Sequence, residues 1–257
     1  MKSFLVLLVL FPTLLDAQQK NMTNKGEFWM YYGFNWDLFT HSDLSLRGAG
    51  YDFTLAKLRA TGDQRLSYPQ YNYRVGYYFK NNWALSFGLD HMKYIVKNNQ
   101  VTTITGYIDS SSSKNFAGVF HNQPFTLTDN FLHYEHTDGL NYVSIELDYS
   151  RSHILSADSR FSYQLMAGPG IAVLIPRTDV TLFGHRINNA YHVSGWGTAV
   201  KAGSRLNMFH YIFIQGEVKA GYIHLGDVLL TGDTKDRGRQ SFGFIEAGVY
   251  LGASVKL

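Results

Sequence analysis

Two short stretches hold residue types that could do chemistry. In FLHYEHTDG, Phe131 to Gly139, the imidazoles of His133 and His136 stand near Glu135 and Asp138. Neutral imidazole and carboxylate together suit zinc or another transition metal. The spacing matches no established ligand signature and exposed loop histidines are ordinary, so the expectation is that no metal is held, with His133 and His136 as the alternative pair. The second stretch is His192-Val193-Ser194. A histidine beside a serine can act as general base to a hydroxyl nucleophile, the chemistry of ester hydrolysis. No acidic residue can be assigned to orient that imidazole, so no catalytic residue is expected, with His192 and Ser194 as the alternative. The chain has no zincin motif, nucleophile elbow or phosphate-binding glycine loop, and no cofactor is implied.

The elements that must carry these residues are strands. From Ile245 to Leu257 every odd position is apolar, while the even positions include Glu246, Tyr250, Ser254 and Lys256. This period of two lasts to the final residue, as in a barrel strand with lipid on one side and a lumen on the other. Seven earlier segments alternate in the same way: Glu27 to Phe39, Gln70 to Lys80, Trp83 to Val96, Leu140 to Ser150, Phe161 to Ile175, Trp196 to Met208 and Tyr211 to Leu225. Long connections, Thr40 to Pro69, Lys97 to Gly139, Arg177 to Gly195 and Gly226 to Arg239, alternate with short ones at Asn81-Asn82, Arg151 to Arg160 and Phe209-His210. Gly168-Pro169-Gly170 suggests a bend or bulge. The serine tract Ser110 to Ser113 reads as flexible. The pattern predicts an all-β fold, an eight-stranded antiparallel up-and-down transmembrane β-barrel with long extracellular loops and periplasmic termini. A soluble lipocalin-like barrel would turn its apolar faces inward around a ligand.

The front of the chain and the composition agree with export. Met1 to Ala17 has Lys2, an apolar run from Phe4 to Phe11 and a small residue before Gln18, which fits a secretory signal peptide (1–17) ahead of a short periplasmic segment (18–26) and the barrel (27–257). The chain has no cysteine, so disulfides and a lipidated N-terminus are excluded. Removing Lys2 and Asp16 with the signal leaves the formal net charge at +3, no argument for a nucleic-acid partner. With 18 Tyr, 18 Phe and 4 Trp, the chain has the aromatics of bilayer interfaces.

If the polar faces converge, the lumen receives Asp37, Asp90, Glu146, Asp148, Glu217 and Glu246 together with Arg74, Lys201, Arg205 and Lys219. Eight strands enclose a space that side chains can just fill, so a paired charge network plugging the barrel is expected. The alternative is a narrow ion path or proton relay. Glu146 and Asp148, two apart on one face, are expected beside Arg205 or Lys201. Eight of the ten histidines fall on or near the long-connection side, against His153 and His210. GAGYDFTLAKLRA and Phe116 to Phe131 mix aromatic and aliphatic residues, so these loops either pack on one another above the barrel or form a partner surface.

The words YYGFNWDLFTHSD, GYDFTL, GLDHMKY and EHTDGLNY, with Ala17-Gln18, resemble a family of small outer-membrane barrels of Bacteroidota over nearly the whole mature chain. The resemblance implies the fold and carries no activity. In architecture the chain is similar to OmpA-like and OmpX-like barrels, which are mostly structural or adhesive. The His-x-Ser spacing is similar to that of the lipid A deacylases, but their asparagine after the serine is here Gly195. The expectation is a non-enzymatic integral outer-membrane protein. Its surroundings would be outer-membrane lipid and lipopolysaccharide, its loops would meet a protein or glycan partner or make it an accessory subunit of a membrane complex, and the barrel assembly machinery would fold it.

Overall fold

The computed structural model describes residues 23–62, 70–136, 138–155, 160–231 and 235–257. The expected signal, Met1 to Ala17, lies outside them. In chain order the strands are β1 (Glu27–Phe39), β2 (Ser42–Gly48), β3 (Tyr51–Leu58), β4 (Ala60–Thr61), β5 (Tyr71–Lys80), β6 (Trp83–Asp90), β7 (Tyr94–Val96), β8 (Val101–Ile108) and β9 (Gly118–Thr126). Then follow β10 (Leu132–His136), β11 (Tyr142–Ile154), β12 (Phe161–Leu174), β13 (Arg177–Leu182), β14 (His185–Tyr191), β15 (Gly195–Met208), β16 (Ile212–Leu229) and β17 (Arg237–Lys256).

Eight of these strands, in the order β1-β5-β6-β11-β12-β15-β16-β17, form an antiparallel up-and-down barrel, and β1 pairing with β17 from Glu27–Lys256 to Phe39–Phe244 closes it. Alternation dictates the faces. Met30, Phe34, Leu38, Leu85, Val200 and Leu251 point outward and are exposed, while Tyr31, Asn35, Asp37, Ser86, Lys201 and Tyr250 point inward and are buried. The tight turns use the left-handed region: Asn82 has φ 68°, and Phe209 and His210 have φ 54° and 71°. Of the bend or bulge expected at Gly168-Pro169-Gly170, no bulge is formed. β12 pairs through Pro169 with β15 in unbroken register, and against β11 only the rungs at Gly168 and Pro169 drop out, because proline has no N–H to give.

The long connections are themselves sheet. β2 resumes pairing with β17 at Asp43–Ser241 after an interruption at Thr40 and His41, so β1 and β2 are one ribbon running past the barrel rim. Thr40 N–H donates to Gly243 O at 2.9 Å and Gly243 N–H donates to Thr40 Oγ1 at 2.9 Å, clamping the interruption. From β17 the sheet continues through β2, β3, β8 and β9, and a second, five-stranded sheet runs β14-β13-β10-β7-β4. Between the two sheets lies one apolar core that includes Leu44, Leu46, Phe53, Ile104, Phe131, Tyr134 and Val180. Phe131 is its centre, with ring centroids 4.5 Å from Phe125, 5.1 Å from Phe116 and 5.5 Å from both Phe53 and Phe183.

The barrel therefore carries a folded β-cap. Of the two expectations for these loops, packing on one another is the arrangement formed. The third expected strand also divides: β6 ends at Asp90, and β7 belongs to the second sheet of the cap. The serine tract is an ordered turn tied to the β2–β3 turn, where Asp109 N–H donates to Gly50 O and Ser112 Oγ donates to Ala49 O, both at 2.8 Å.

Candidate functional site

The lumen is filled in layers. At the short-turn end lies a cluster of Trp29, Tyr31, Tyr78, Ala84, Phe213 and Tyr250, inward residues that interrupt the polar face with aromatic rings. Tyr31 and Tyr250 stack with centroids 4.3 Å apart. Arg205 belongs to this layer: its guanidinium lies 3.8 Å from the Phe213 centroid and 4.7 Å from that of Trp29, and its Nε donates to Gln215 Oε1 at 2.8 Å.

The other nine inward charges lie above it, and all ten are buried, none exposed by more than 5%. Glu146 is the hub, with Lys201 Nζ at 2.6 Å, Lys219 Nζ at 2.9 Å and Arg74 Nη2 at 3.0 Å. Arg74 also reaches Asp90 at 3.3 Å, and Lys219 pairs with Asp90 and lies 3.7 Å from Glu246. Lys201 serves Asp148 at 3.2 Å and Glu217 at 3.7 Å. Of the two bases expected beside Glu146 and Asp148, then, Lys201 is the neighbour and Arg205 lies among the aromatics. Uncharged residues complete the layer. Asn35 and Asn72 donate to Glu246 at 2.7 and 3.1 Å, and Arg74 donates to Tyr31 OH at 3.2 Å and Ser144 Oγ at 2.8 Å. An attraction this dense in a low-dielectric interior offsets the several kcal/mol that each isolated ion would cost on burial. Such a layer can brace the wall.

The histidine stretches are not assembled into sites. His133 and His136 are three residues apart on β10 and project from opposite faces. His133 is half-exposed, 3.3 Å from Glu135 and 3.8 Å from Asp129, whereas His136 is fully buried in the cap with Nδ1 3.0 Å from Thr178 Oγ1. The alternative metal pair is therefore split, and no group of three or more metal-ligating side chains occurs among the described residues. Burial lowers the His136 pKa to about 3. His192 does have an acidic neighbour, with Nε2 2.9 Å from Asp227 Oδ2. That contact, with Arg237 Nε at 2.6 Å, holds the Asp227 carboxyl below its ordinary range. Ser194, however, is 2% exposed and its hydroxyl donates to the His192 backbone carbonyl at 3.3 Å, so the nucleophile and base are not joined.

No family model and no curated protein matches the chain. Among solved structures, the chain is similar to the outer membrane protein OprG from Pseudomonas aeruginosa at 12% identity and a TM-score of 0.43, covering 91% of this chain and 98% of that chain. It is similar to Neisserial surface protein A at 10% identity and a TM-score of 0.36, with coverage of 91% and 98%. For Ail, the attachment invasion locus protein of Yersinia pestis, the values are 11%, 0.30, 88% and 99%.

Proposed function

We propose that this chain is an integral outer-membrane protein of structural or surface-binding role, without enzymatic activity, whose cap faces the outside and meets a protein or glycan partner. The plugged lumen supports a scaffold over a channel, and the separation of Ser194 from the His192 ring supports recognition over hydrolysis. The observation that carries the reading is the cap itself, because connecting segments positioned by a rigid scaffold are where binding residues concentrate. On that surface β9 is an outermost strand, and Val119 is 66% exposed, Val101 69% and Tyr107 42%. An exposed edge with apolar side chains is a natural docking surface. The reading includes kinship with the small barrels of Bacteroidota, export by a signal peptide, periplasmic termini and assembly by the barrel machinery.

Ile104, Ile108 and Phe131 belong to the cap core, so single-residue labels on its surface test the reading without unfolding it. The native chain has no cysteine, so single labels are available. In intact cells a membrane-impermeant maleimide should modify a Val119→Cys variant and spare one at Phe209→Cys on the opposite end, and a photo-crosslinker at position 119 should join one defined neighbour. Labelling of position 209 with position 119 protected would reverse the orientation. Failure of any defined cross-link from position 119 would remove the partner.

A further inference from the structure

A second feature lies on the outer wall where barrel becomes cap. There a polar groove of about 420 Å³ is lined by His41, Asp43, Lys57, His224, Arg239 and Ser241, among others. Its size falls within the roughly 300–1,000 Å³ of small-molecule sites. Strand register makes it: Arg239 and Ser241 alternate with the buried Gln240 and so face outward, Ser241 stands opposite both Asp43 of β2 and His224 of β16, and the ribbon interruption at Thr40 and His41 opens the wall beside them.

The groove's position and charge point to its ligand. Immediately below it the same strands present Leu38, Trp36 and Ile245, exposed by 65%, 40% and 51%, the apolar band that faces hydrocarbon. Trp196 and Tyr222 flank that boundary, with the Trp196 ring 5.7 Å from His224 and 6.1 Å from Tyr222, as interfacial aromatics do. The groove thus opens at the level of lipid headgroups. Two permanent cations, Lys57 and Arg239, line it with two imidazoles. Asp43, the one carboxylate among its described lining residues, accepts the Lys57 backbone N–H at 2.8 Å. His224 Nδ1 lies 2.8 Å from Ser241 Oγ, which fixes the ring. Guanidinium and ammonium recognise phosphate, while the hydroxyls, imidazoles and carboxylate beside them suit sugar hydroxyls.

We propose that this groove binds the phosphorylated sugar headgroup of a membrane glycolipid, with Lys57 and Arg239 on the phosphate. The proposal rests on the outward cap, but the maleimide labelling tests that placement in cells and the lipid assay uses purified protein, so each can fail alone. The full chain in detergent micelles is offered lipid A bearing both phosphates, lipid A stripped of them, or inorganic phosphate, and bound lipid is counted by native mass spectrometry. Wild type should retain the phosphorylated lipid over the stripped one by roughly fivefold, the scale of two surface ion pairs. A Lys57→Asn/Arg239→Gln variant should lose that preference. Asparagine tolerates the left-handed φ of 57° at position 57, so the backbone is kept. The charge-conserving Lys57→Arg/Arg239→Lys variant should retain it, and inorganic phosphate should not shift the thermal midpoint. Equal retention of both lipids by wild type, preference surviving in the charge-removed variant, preference lost in the charge-conserving one, or stabilisation by inorganic phosphate alone would each overturn the assignment.

Discussion

Asp37 and Glu246 face each other across the β1–β17 pair that closes the barrel, and their surroundings differ completely. Glu246 accepts hydrogen bonds from Asn35 and Asn72 and has Lys219 at 3.7 Å, whereas neither carboxylate oxygen of Asp37 has a hydrogen-bond partner among the described residues although Asp37 is 1% exposed. A buried carboxylate that faces another across one rung opposes closure of the ring. Asp37→Asn should therefore stabilise the barrel by about 1 kcal/mol at neutral pH. The urea midpoint in lipid vesicles, followed by tryptophan fluorescence, reads this; a fall in the midpoint would show that the carboxylate is needed.

Glu146 should behave in the opposite way. Its three cations come from β5, β15 and β16, so one side chain ties strands from several parts of the ring. Glu146→Gln leaves Arg74, Lys201 and Lys219 with reduced compensation and should cost about 3–5 kcal/mol, as for breaking a buried ion pair from one side. A loss below about 1 kcal/mol in the same unfolding assay would mean that the neighbouring carboxylates take over.

Phe131→Ala separates cap from barrel. The ring is fully buried and touches Phe53 of β3 and Phe183 of the β13–β14 turn, so its removal should cost the cap about 3–5 kcal/mol. The barrel keeps its own hydrogen-bonded ring. Limited proteolysis should cut the variant inside residues 91–131 while the barrel retains its heat-modifiable gel migration. Loss of that migration would show that barrel and cap fold only together.

His136 predicts the acid response of the cap. Burial lowers its pKa to about 3, from an ordinary value near 6.5. Between those values the unfolded cap binds a proton that the folded cap does not, so stability is complete above about pH 6.5 and falls as pH drops toward 3. The local slope is about 1.4 kcal/mol per pH unit for one such group. Hydrogen exchange at the amides of β10 should accelerate over this range in wild type and lose one proton's worth of slope in a His136→Phe variant. An unchanged slope in the variant would assign the acid response elsewhere.

The barrel was legible because its strands have two different solvents, lipid and a polar lumen, so each apolar residue marks the same face for ten residues at a time. Glu27 to Phe39 is recovered to the residue. The cap was harder. Its strands are short, bulged and buried on one face against each other, so SDLSLRG and YDFTLAKL carry only two or three apolar repeats each, Leu44 and Leu46, then Tyr51, Phe53 and Leu55. That alternation was present in the sequence, and the length of the loops obscured it. The ten luminal charges follow from face assignment alone, but their partners do not. Arg205 goes to Phe213 and Trp29 because of its height along the lumen, and height depends on strand stagger, which alternation does not encode. The same holds for the groove: Lys57 and Arg239 are distant in sequence and meet at one wall only through the order of β17, β2 and β3.

The unbroken run of β17 from β1 in the wall to β2 in the cap, as one arm of a hairpin whose strands are 18 and 20 residues long, has a mechanical consequence. A lid needs a hinge, and here the wall and the canopy share one ladder of hydrogen bonds. A load applied at the tip is carried as shear along β17 into the membrane-facing ring, so an object that grips the tip would tilt or drag the whole molecule rather than swing its crown aside.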